Sequence, residues 1–252
     1  ISSSNFLPLN PGLYSVKQRW HPSQIGFQID SHTQESFPDI NHAEIAIFNV
    51  PEYEGSDNVG SSSDCKVRDA FYRLYFSNFP RMIDLGTLQI MSNRKETFDL
   101  IVEVCSDLID RGVIPIVIGG GNDISYALYK SYAKIERSIT LCCCDSTFNL
   151  GSVEDKLKSN SFLSKIISYK PNHLFNYINL GYQTFFVKPE EIDLIESLNF
   201  ESYRLGNIKD DMEEIEPILR NTDFLSLNMS CVKGSSFVSN VYSTPNGFNG
   251  QD

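Results

Sequence analysis

The chain has 252 residues, 41% of them hydrophobic, and carries 32 acidic against 21 basic side chains. The net charge of −11 argues against a nucleic-acid ligand, whose phosphates need a positive surface, and against binding to anionic membranes. No apolar run approaches the roughly 18 residues of a membrane-spanning helix. The six cysteines include no C-x-x-C pair, which predicts small buried thiols in a reducing cytoplasm and not zinc ligands.

Residues 1–43 are predicted to form an irregular N-terminal extension, because they contain four prolines. They also contain the only tryptophan, Trp20. Two interpretations are open. The segment packs across the surface of the domain that follows, or it contacts another protein, since aromatic side chains often anchor interfaces.

From residue 44 onward, continuous apolar runs alternate with segments of helical periodicity. The predicted strands lie within 44–50, 81–88, 113–123, 138–145, 173–181 and 222–230. The predicted helices lie within 66–76, 94–111, 125–135, 161–169, 189–198 and 211–220. Asn93 and Glu96 form a capping-box pattern before the second of these helices, and Gly112 follows its last turn. The alternation implies parallel strands with right-handed crossovers, and it predicts one α/β domain over 44–252, a three-layer α/β/α sandwich with a mostly parallel sheet.

Three short polar stretches follow predicted strands. They are "GGGND" at 119–123, "DSTFN" at 145–149 and "NMSCV" at 228–232. In open α/β sheets the functional crevice lies at the carboxyl ends of the strands, so the three stretches are expected at one rim. The most chemically suggestive of them begins with Asp145, directly after the apolar run "ITLCCC".

The same stretches resemble the motifs of the arginase/agmatinase/formimidoylglutamase (ureohydrolase) family. "IPIVIGGGNDISYA" is similar to the family segment P-x-x-x-G-G-x-H, and closest to the formimidoylglutamase form G-G-G-H-E-I-A-Y. "DSTFNLG" resembles D-A-H-F-D-L, and "LSLNMS" resembles S-x-D-x-D. Because three motifs recur in the same order at successive strand ends, the resemblance implies an arginase-like fold.

The resemblance also implies a metal site whose ligands have changed. In the family, these motifs hold two Mn²⁺ ions with two histidines and four aspartates. Carried over residue by residue, the six positions are Asn122, Asp145, Thr147, Asn149, Asn228 and Ser230. Only Asp145 keeps the family's residue, so no bound metal or other cofactor is expected. Asp123 stands next to the first position and offers a second carboxylate, so a residual pocket of Asp123 and Asp145 is a further expectation.

The leading hypothesis is a catalytically inactive ureohydrolase-fold protein, a pseudoenzyme that serves as a scaffold or subunit in a protein assembly. Two alternatives remain open: a metal-dependent hydrolase of formimidoylglutamate or a related amidine with a degenerate site, and a small-molecule sensor that uses the old pocket. The resemblance suggests a homo-oligomer, and a protein partner is expected. The family's sheet also has a strand after the S-x-D-x-D motif, so the parent protein is expected to be longer than these 252 residues.

Overall fold

The computed structural model describes residues 1–14, 20–56, 64–78, 80–236 and 244–252. It divides the chain into two compact units, Ile1–Ile135 and Glu136–Asp252. Each unit contains one sheet in which most strands run parallel, so the predicted α/β class is confirmed. Within the described ranges, no helix has the length and apolar character needed to cross a bilayer.

The first unit is built around a five-stranded sheet. Strands β4, β3 and β5 are parallel neighbours, with β1 and β2 both pairing with β4. Four of the five residues of β3 are buried, as are six of the seven in β4, which agrees with their continuous apolar sequences. The strands of this unit are β1 (Phe6–Leu7), β2 (Asp30–Ser31), β3 (Ile45–Asn49), β4 (Met82–Leu88) and β5 (Ile114–Ile118). Its helices are α1 (Pro11–Tyr14), α2 (Ile25–Gln28), α3 (Asp64–Tyr72), α4 (Arg94–Asp110) and α5 (Ile124–Lys134).

Helix α4 has the ends that its sequence predicts. The Asn93 side chain accepts a hydrogen bond from the backbone N–H of Glu96 at 2.9 Å, which satisfies one of the free donors of the first turn. The helix ends at Asp110, and Gly112 follows with φ of 76°, a conformation that glycine adopts without steric cost. The apolar face of α4 is buried, and α5 packs against it.

A buried ion pair lies between α3 and β4. The Arg68 guanidinium donates to both carboxylate oxygens of Asp84, at 2.8 and 3.1 Å, and to the carbonyl of Gly86 at 2.7 Å. The Tyr72 hydroxyl donates to the same carboxylate at 2.6 Å. Burial and the neighbouring Asp84 charge raise the pKa of Tyr72, so it remains a donor. The ion pair with Arg68 therefore compensates the negative charge of Asp84, which lies inside the otherwise apolar strand β4.

The second unit contains a four-stranded parallel sheet in the order β8-β7-β6-β9. In this sheet Cys144, the last residue of β6, lies opposite Leu180 of β7 and Leu227 of β9. The carboxyl ends of these three strands therefore meet at one edge. The strands are β6 (Ile139–Cys144), β7 (Leu174–Tyr182), β8 (Glu201–Arg204) and β9 (Phe224–Leu227). The helices are α6 (Phe162–Ile167), α7 (Pro189–Ser197), α8 (Leu205–Asp210) and α9 (Ile215–Arg220), with 3₁₀ turns at Met212–Glu214 and Met229–Cys231.

Several predicted elements differ from the observed ones. The prediction that residues 1–43 are irregular missed β1 and β2, which pair with β4. The helix predicted within 66–76 ends at Tyr72. The stretch Leu74–Phe76 instead bonds to the N-terminal segment, since the Leu74 carbonyl accepts from Ile25 N and Phe76 N donates to the Ser23 carbonyl.

Two further differences lie in the second unit. Strand β8 and helix α8 were not predicted at all, and the helix predicted within 211–220 is split. The split occurs because the Asp211 side chain accepts from Glu213 N and starts a 3₁₀ turn before α9 begins. The short helices α1 and α2 were also not predicted. The other predicted strands and helices overlap their predicted ranges, although α5 and β7 each extend one residue beyond theirs.

Candidate functional site

The candidate site centres on Asp145, the first residue after β6. Its backbone N–H donates to the carbonyl of Leu180 on β7 at 3.2 Å, which extends the ladder by one residue. Its carboxylate is almost completely buried, with 2% of the residue exposed. A buried carboxylate needs hydrogen-bond donors or a positive charge, so its neighbours define what this place can do.

Four neutral donors converge on the Asp145 carboxylate. Oδ2 accepts from the side-chain amides of Asn149 at 2.8 Å and Asn228 at 2.7 Å. Oδ1 accepts from the Ser230 hydroxyl at 2.8 Å and from the Thr147 backbone N–H at 3.3 Å. Sequence reasoning placed these five residues at one rim, and the structure brings them together. They are called the Asp145 cluster below.

Local backbone geometry aims these donors at the carboxylate. Asn149 has φ of 58°, a left-handed conformation that asparagine adopts more readily than most residues. Asn228 N donates to the carbonyl of Cys144 at 3.0 Å, which fixes the end of β9 beside the end of β6. The Asn228 side chain then caps the turn Met229–Cys231 by accepting from Ser230 N at 3.0 Å. Each amide therefore uses its oxygen within its own loop and its nitrogen toward Asp145.

The electrostatics of the cluster are set by burial. Desolvation raises the pKa of Asp145, while the hydrogen bonds from Asn149, Ser230, Asn228 and Thr147 act in the opposite direction. The amide and hydroxyl donors stabilise the ionised form without supplying a positive charge. The Asp145 cluster can therefore hold one carboxylate in the interior of the unit by hydrogen bonding.

Sequence reasoning missed one member of the site, Asn179 on β7. It is fully buried, and its amide donates to the Thr147 carbonyl at 3.2 Å. Its Oδ1 has no hydrogen-bond partner in the described part of the chain. The available signal was a single polar residue inside the apolar strand "YINLGY". Asn179 anchors the loop that carries Thr147 and Asn149.

The other predicted positions, Asn122 and Asp123, belong to the first unit. Asn122 is half-buried in the loop between β5 and α5, where its carbonyl accepts from Ser125 N at 3.1 Å. Asp123 is fully buried and accepts a hydrogen bond from the Arg94 guanidinium. Gly55 allows this approach, because a Cβ there would lie 2.3 Å from Arg94 Nη2 and 2.4 Å from Asp123 Oδ2.

The charge of Asp123 is thus balanced within its own unit by Arg94, which also lies 3.4 Å from a carboxylate oxygen of Glu52. The predicted residual pocket of Asp123 and Asp145 involves both units and stays a prediction. Among the residues that the structure describes, no three histidine, cysteine, aspartate or glutamate side chains are grouped to hold a metal ion.

A separate cavity of about 430 Å³ lies in the second unit, outside the Asp145 cluster. Its lining includes Arg204, Lys209, Lys233 and Gln183. Lys209 lies 3.3 Å from the Asp252 carboxylate, whereas Arg204 and Lys233 make no ion pair with the other described residues. Gln183 is buried, and its Oε1 has no partner within the described ranges. The cavity therefore carries positive charge from Arg204 and Lys233.

Comparisons with known proteins agree with the motifs. A formiminoglutamase from Trypanosoma cruzi, crystallised with Mn²⁺, superposes with a TM-score of 0.75 at 16% identity, covering 86% of this chain and 80% of that one. Formimidoylglutamase from Bacillus subtilis gives a TM-score of 0.71 at 19% identity, covering 85% of this chain and 74% of that one. Agmatine ureohydrolase from Thermoplasma volcanium gives 0.66 at 16% identity, covering 93% and 80%.

The three TM-scores show a common fold and confirm the arginase-like architecture that the motifs implied. No curated protein sequence matches the chain. The sequence profile of the arginase family matches residues 45–237, which is more than half of the chain and includes the Asp145 cluster. The chain therefore belongs to the arginase family.

Proposed function

We propose that this chain is a catalytically inactive member of the arginase family that acts as a scaffold or subunit in a protein assembly. The observation that carries the proposal is the Asp145 cluster, in which the carboxylate already receives four hydrogen bonds from neutral groups. A side chain in that state has no free strong acceptor to offer to a metal ion or a substrate.

The chemistry of amidine hydrolysis supports this proposal. A hydroxide that attacks an amidine carbon at neutral pH needs a metal to lower the pKa of its parent water. Mn²⁺ binds several anionic oxygens or imidazole nitrogens. The Asp145 cluster offers one carboxylate, and the oxygens of Asn149 and Asn228 accept hydrogen bonds from Thr147 and Ser230. This donor set does not fit a pair of Mn²⁺ ions.

The scaffold role is supported by exposed apolar side chains in the first unit. The consecutive residues Leu74, Tyr75 and Phe76 are 54%, 66% and 44% exposed. They follow α3 and bond to residues Ser23 and Ile25, so the N-terminal segment and this stretch form one continuous surface. Tyrosine and phenylalanine side chains are enriched at the centres of protein interfaces.

The decisive experiment is metal analysis of the purified chain after incubation with Mn²⁺, beside the variant Asp145→Ala. We expect near-zero metal in both proteins and an unchanged melting temperature in a chelator. A stoichiometry of one or two ions per chain that is lost in Asp145→Ala would refute the inactive assignment. Hydrolysis of formimidoylglutamate or a related amidine would then become the next assay.

The scaffold role has its own test. The double variant Tyr75→Ser and Phe76→Ser should abolish co-purification of the partner protein and leave the melting temperature within error. Phe175→Ser is the matched control, because Phe175 is 80% exposed and lies on β7 in the other unit. Equal loss of the partner in the control, or no loss in the double variant, would contradict the assignment of this surface.

A small-molecule sensor is the second candidate, favoured by the cavity that Arg204 and Lys233 line. Two cations that line one cavity suit a small molecule with several carboxylates. Citrate should then raise the melting temperature of the wild-type chain and leave Lys233→Gln unchanged, since a ligand that binds only the folded state stabilises it. No citrate-dependent shift in the wild type would dismiss this candidate.

A further inference from the structure

Two cysteine side chains lie in contact beside the Asp145 cluster. The sulfur atoms of Cys144 and Cys231 are 3.4 Å apart, although the residues are 87 positions apart in the chain. Cys144 directly precedes Asp145, and Cys231 directly follows Ser230. The two thiols therefore flank two of the residues whose side chains meet in the cluster.

The fold holds both segments in place. The Cys144 carbonyl accepts from Asn228 N, and Cys231 N donates to the Asn228 carbonyl, each at 3.0 Å. Cys231 is buried in an apolar cluster with Cys142 and Phe248, and the half-buried Cys144 packs against that cluster. The sulfur contact is therefore held by backbone bonds on both sides.

We propose that Cys144 and Cys231 form a reversible disulfide when the chain meets a hydroperoxide. The Cys144 sulfur attacks one peroxide oxygen and the O–O bond breaks. The Cys144 thiol proton leaves with the other oxygen, as water from hydrogen peroxide or as an alcohol from an organic hydroperoxide, and Cys144 becomes a sulfenic acid. The Cys231 sulfur then attacks the Cys144 sulfur, the S–O bond breaks, and water carries away the oxygen with the Cys231 proton. The two thiols lose two electrons in total, and the peroxide gains them.

Burial assigns the order of these steps. Cys144 is the more exposed of the two, so it meets the oxidant first. Cys231 is buried, so it reacts second, with the sulfenic acid that forms 3.4 Å away. Cys105 and Cys143 are fully buried, and their burial raises the pKa of each thiol. A buried, protonated thiol reacts slowly with peroxide.

The cross-link has a consequence for the Asp145 cluster. It would join the end of β6 covalently to the turn that carries Ser230, and so restrain the two segments that hold the carboxylate and one of its donors. Cross-links that close long loops restrict the unfolded chain most. The oxidised chain should therefore melt at a higher temperature than the reduced chain, whether or not the cluster has any catalytic role.

The direct test is peptide mapping of the wild-type chain. After treatment with hydrogen peroxide, the remaining thiols are alkylated and the chain is digested with trypsin without reduction. Trypsin releases Cys144 in the peptide 138–156 and Cys231 in the peptide 221–233. We expect these two peptides to be joined and to separate after dithiothreitol. Full alkylation of both peptides, or a link between other peptides, would overturn the proposal.

Variants identify which cysteine of peptide 138–156 is linked. Cys144→Ser should abolish the linked peptide, while Cys143→Ser should retain it. Cys231→Ser should leave a sulfenic acid at Cys144 that dimedone traps. A link that persists in Cys144→Ser would show that a neighbouring cysteine reacts instead. Because the wild-type mapping requires no variant, a folding defect in any of them leaves the proposal testable.

Discussion

Replacing Asn228 by aspartate tests the description of the Asp145 cluster most sharply. The change converts a neutral donor into a carboxylate of the same shape. In the wild type, Asn228 Nδ2 lies 2.7 Å from Asp145 Oδ2, so Asn228→Asp places two carboxylate oxygens at hydrogen-bond distance in a buried site. Two ionised carboxylates cannot share that geometry without a cation or a proton between them.

The magnitude follows from the separation. At an effective dielectric constant of about 20, two unit charges 2.7 Å apart repel by about 6 kcal/mol. Uptake of a proton is less costly. Holding one at pH 7 on a carboxyl of ordinary pKa, about 3.9, costs about 4 kcal/mol, and the same cost at pH 5 is about 1.5 kcal/mol. The protonated carboxyl at position 228 still donates a hydrogen bond to Asp145. The cost of holding the proton at each pH is therefore the whole expected loss in the free energy of unfolding.

The sign of the pH dependence is fixed by the same proton. The folded variant binds one proton more than the unfolded chain between pH of about 4 and about 7, so its free energy of unfolding falls by about 1.4 kcal/mol per pH unit relative to the wild type. Urea denaturation followed by far-ultraviolet circular dichroism at pH 5 and pH 7 measures this slope. An Asn228→Asp variant as stable as the wild type at pH 7, without added metal, would refute the hydrogen-bond assignment.

Asn207→Asp is the matched control for this experiment. Asn207 is exposed in α8 of the same unit, so the same chemical change there introduces a carboxylate that water solvates. We expect its free energy of unfolding to stay within about 0.5 kcal/mol of the wild type at both pH values. A comparable loss in the control would mean that added charge, and not the cluster, destabilises the chain.

Three further predictions address the rest of the molecule. Burial raises the pKa of Asp145 above its value in the unfolded chain, so the contribution of Asp145 to the free energy of unfolding is greatest below pH of about 4 and declines as the pH rises through the folded pKa. Asp145→Asn should lack that decline in urea titrations. Arg68→Met leaves Asp84 buried without its cation and should lower the free energy of unfolding by about 3 to 5 kcal/mol in the same assay. A loss below about 1 kcal/mol would contradict the buried ion pair. Gly55→Ala should cost about 1 to 3 kcal/mol by forcing side chains apart, while Gly206→Ala, with open space around its Cβ, should be nearly neutral.

Apolar patterning was sufficient to locate most of the fold. The runs that became β3, β5 and β6 are bounded by polar or glycine-rich sequence, so their positions follow from composition alone. Strand β8 has the sequence "ESYR", which carries no apolar run, and among the described residues it pairs with β7 alone, at the edge of its sheet. An edge strand needs little burial, so the pattern that reveals central strands is weak there.

The end of α3 shows a different limit. The apolar residues Leu74, Tyr75 and Phe76 continue the helical spacing, and the sequence alone favours a longer helix. In the structure their backbone bonds instead to Ser23 and Ile25, about 50 positions earlier in the chain. A partner so distant in sequence leaves no local signal, so tertiary hydrogen bonding overrides the local preference.

The site was predictable in position but not in orientation. The rule for strand ends brought Asp145, Asn149 and Asn228 together correctly, because parallel strands end at one edge. Whether an asparagine turns its oxygen or its nitrogen toward a neighbour depends on loop conformation. In this site the deciding loop conformations are the left-handed backbone of Asn149 and the cap in which Asn228 Oδ1 accepts from Ser230 N. Such local geometry is not encoded in residue spacing.

A carboxylate can be kept in a protein interior by a bound cation or by neutral hydrogen-bond donors, and the orientation of the two amides distinguishes these cases. A cation stabilises several carboxylates at once, but those carboxylates repel one another whenever the cation leaves. Neutral donors stabilise one carboxylate and require no cation. Asn149, Asn228 and Ser230 all donate to Asp145, so neutral donors surround this carboxylate. Under the proposed function, a fold that needs no bound metal is used for its surfaces, and this links the Asp145 cluster to the proposed scaffold role.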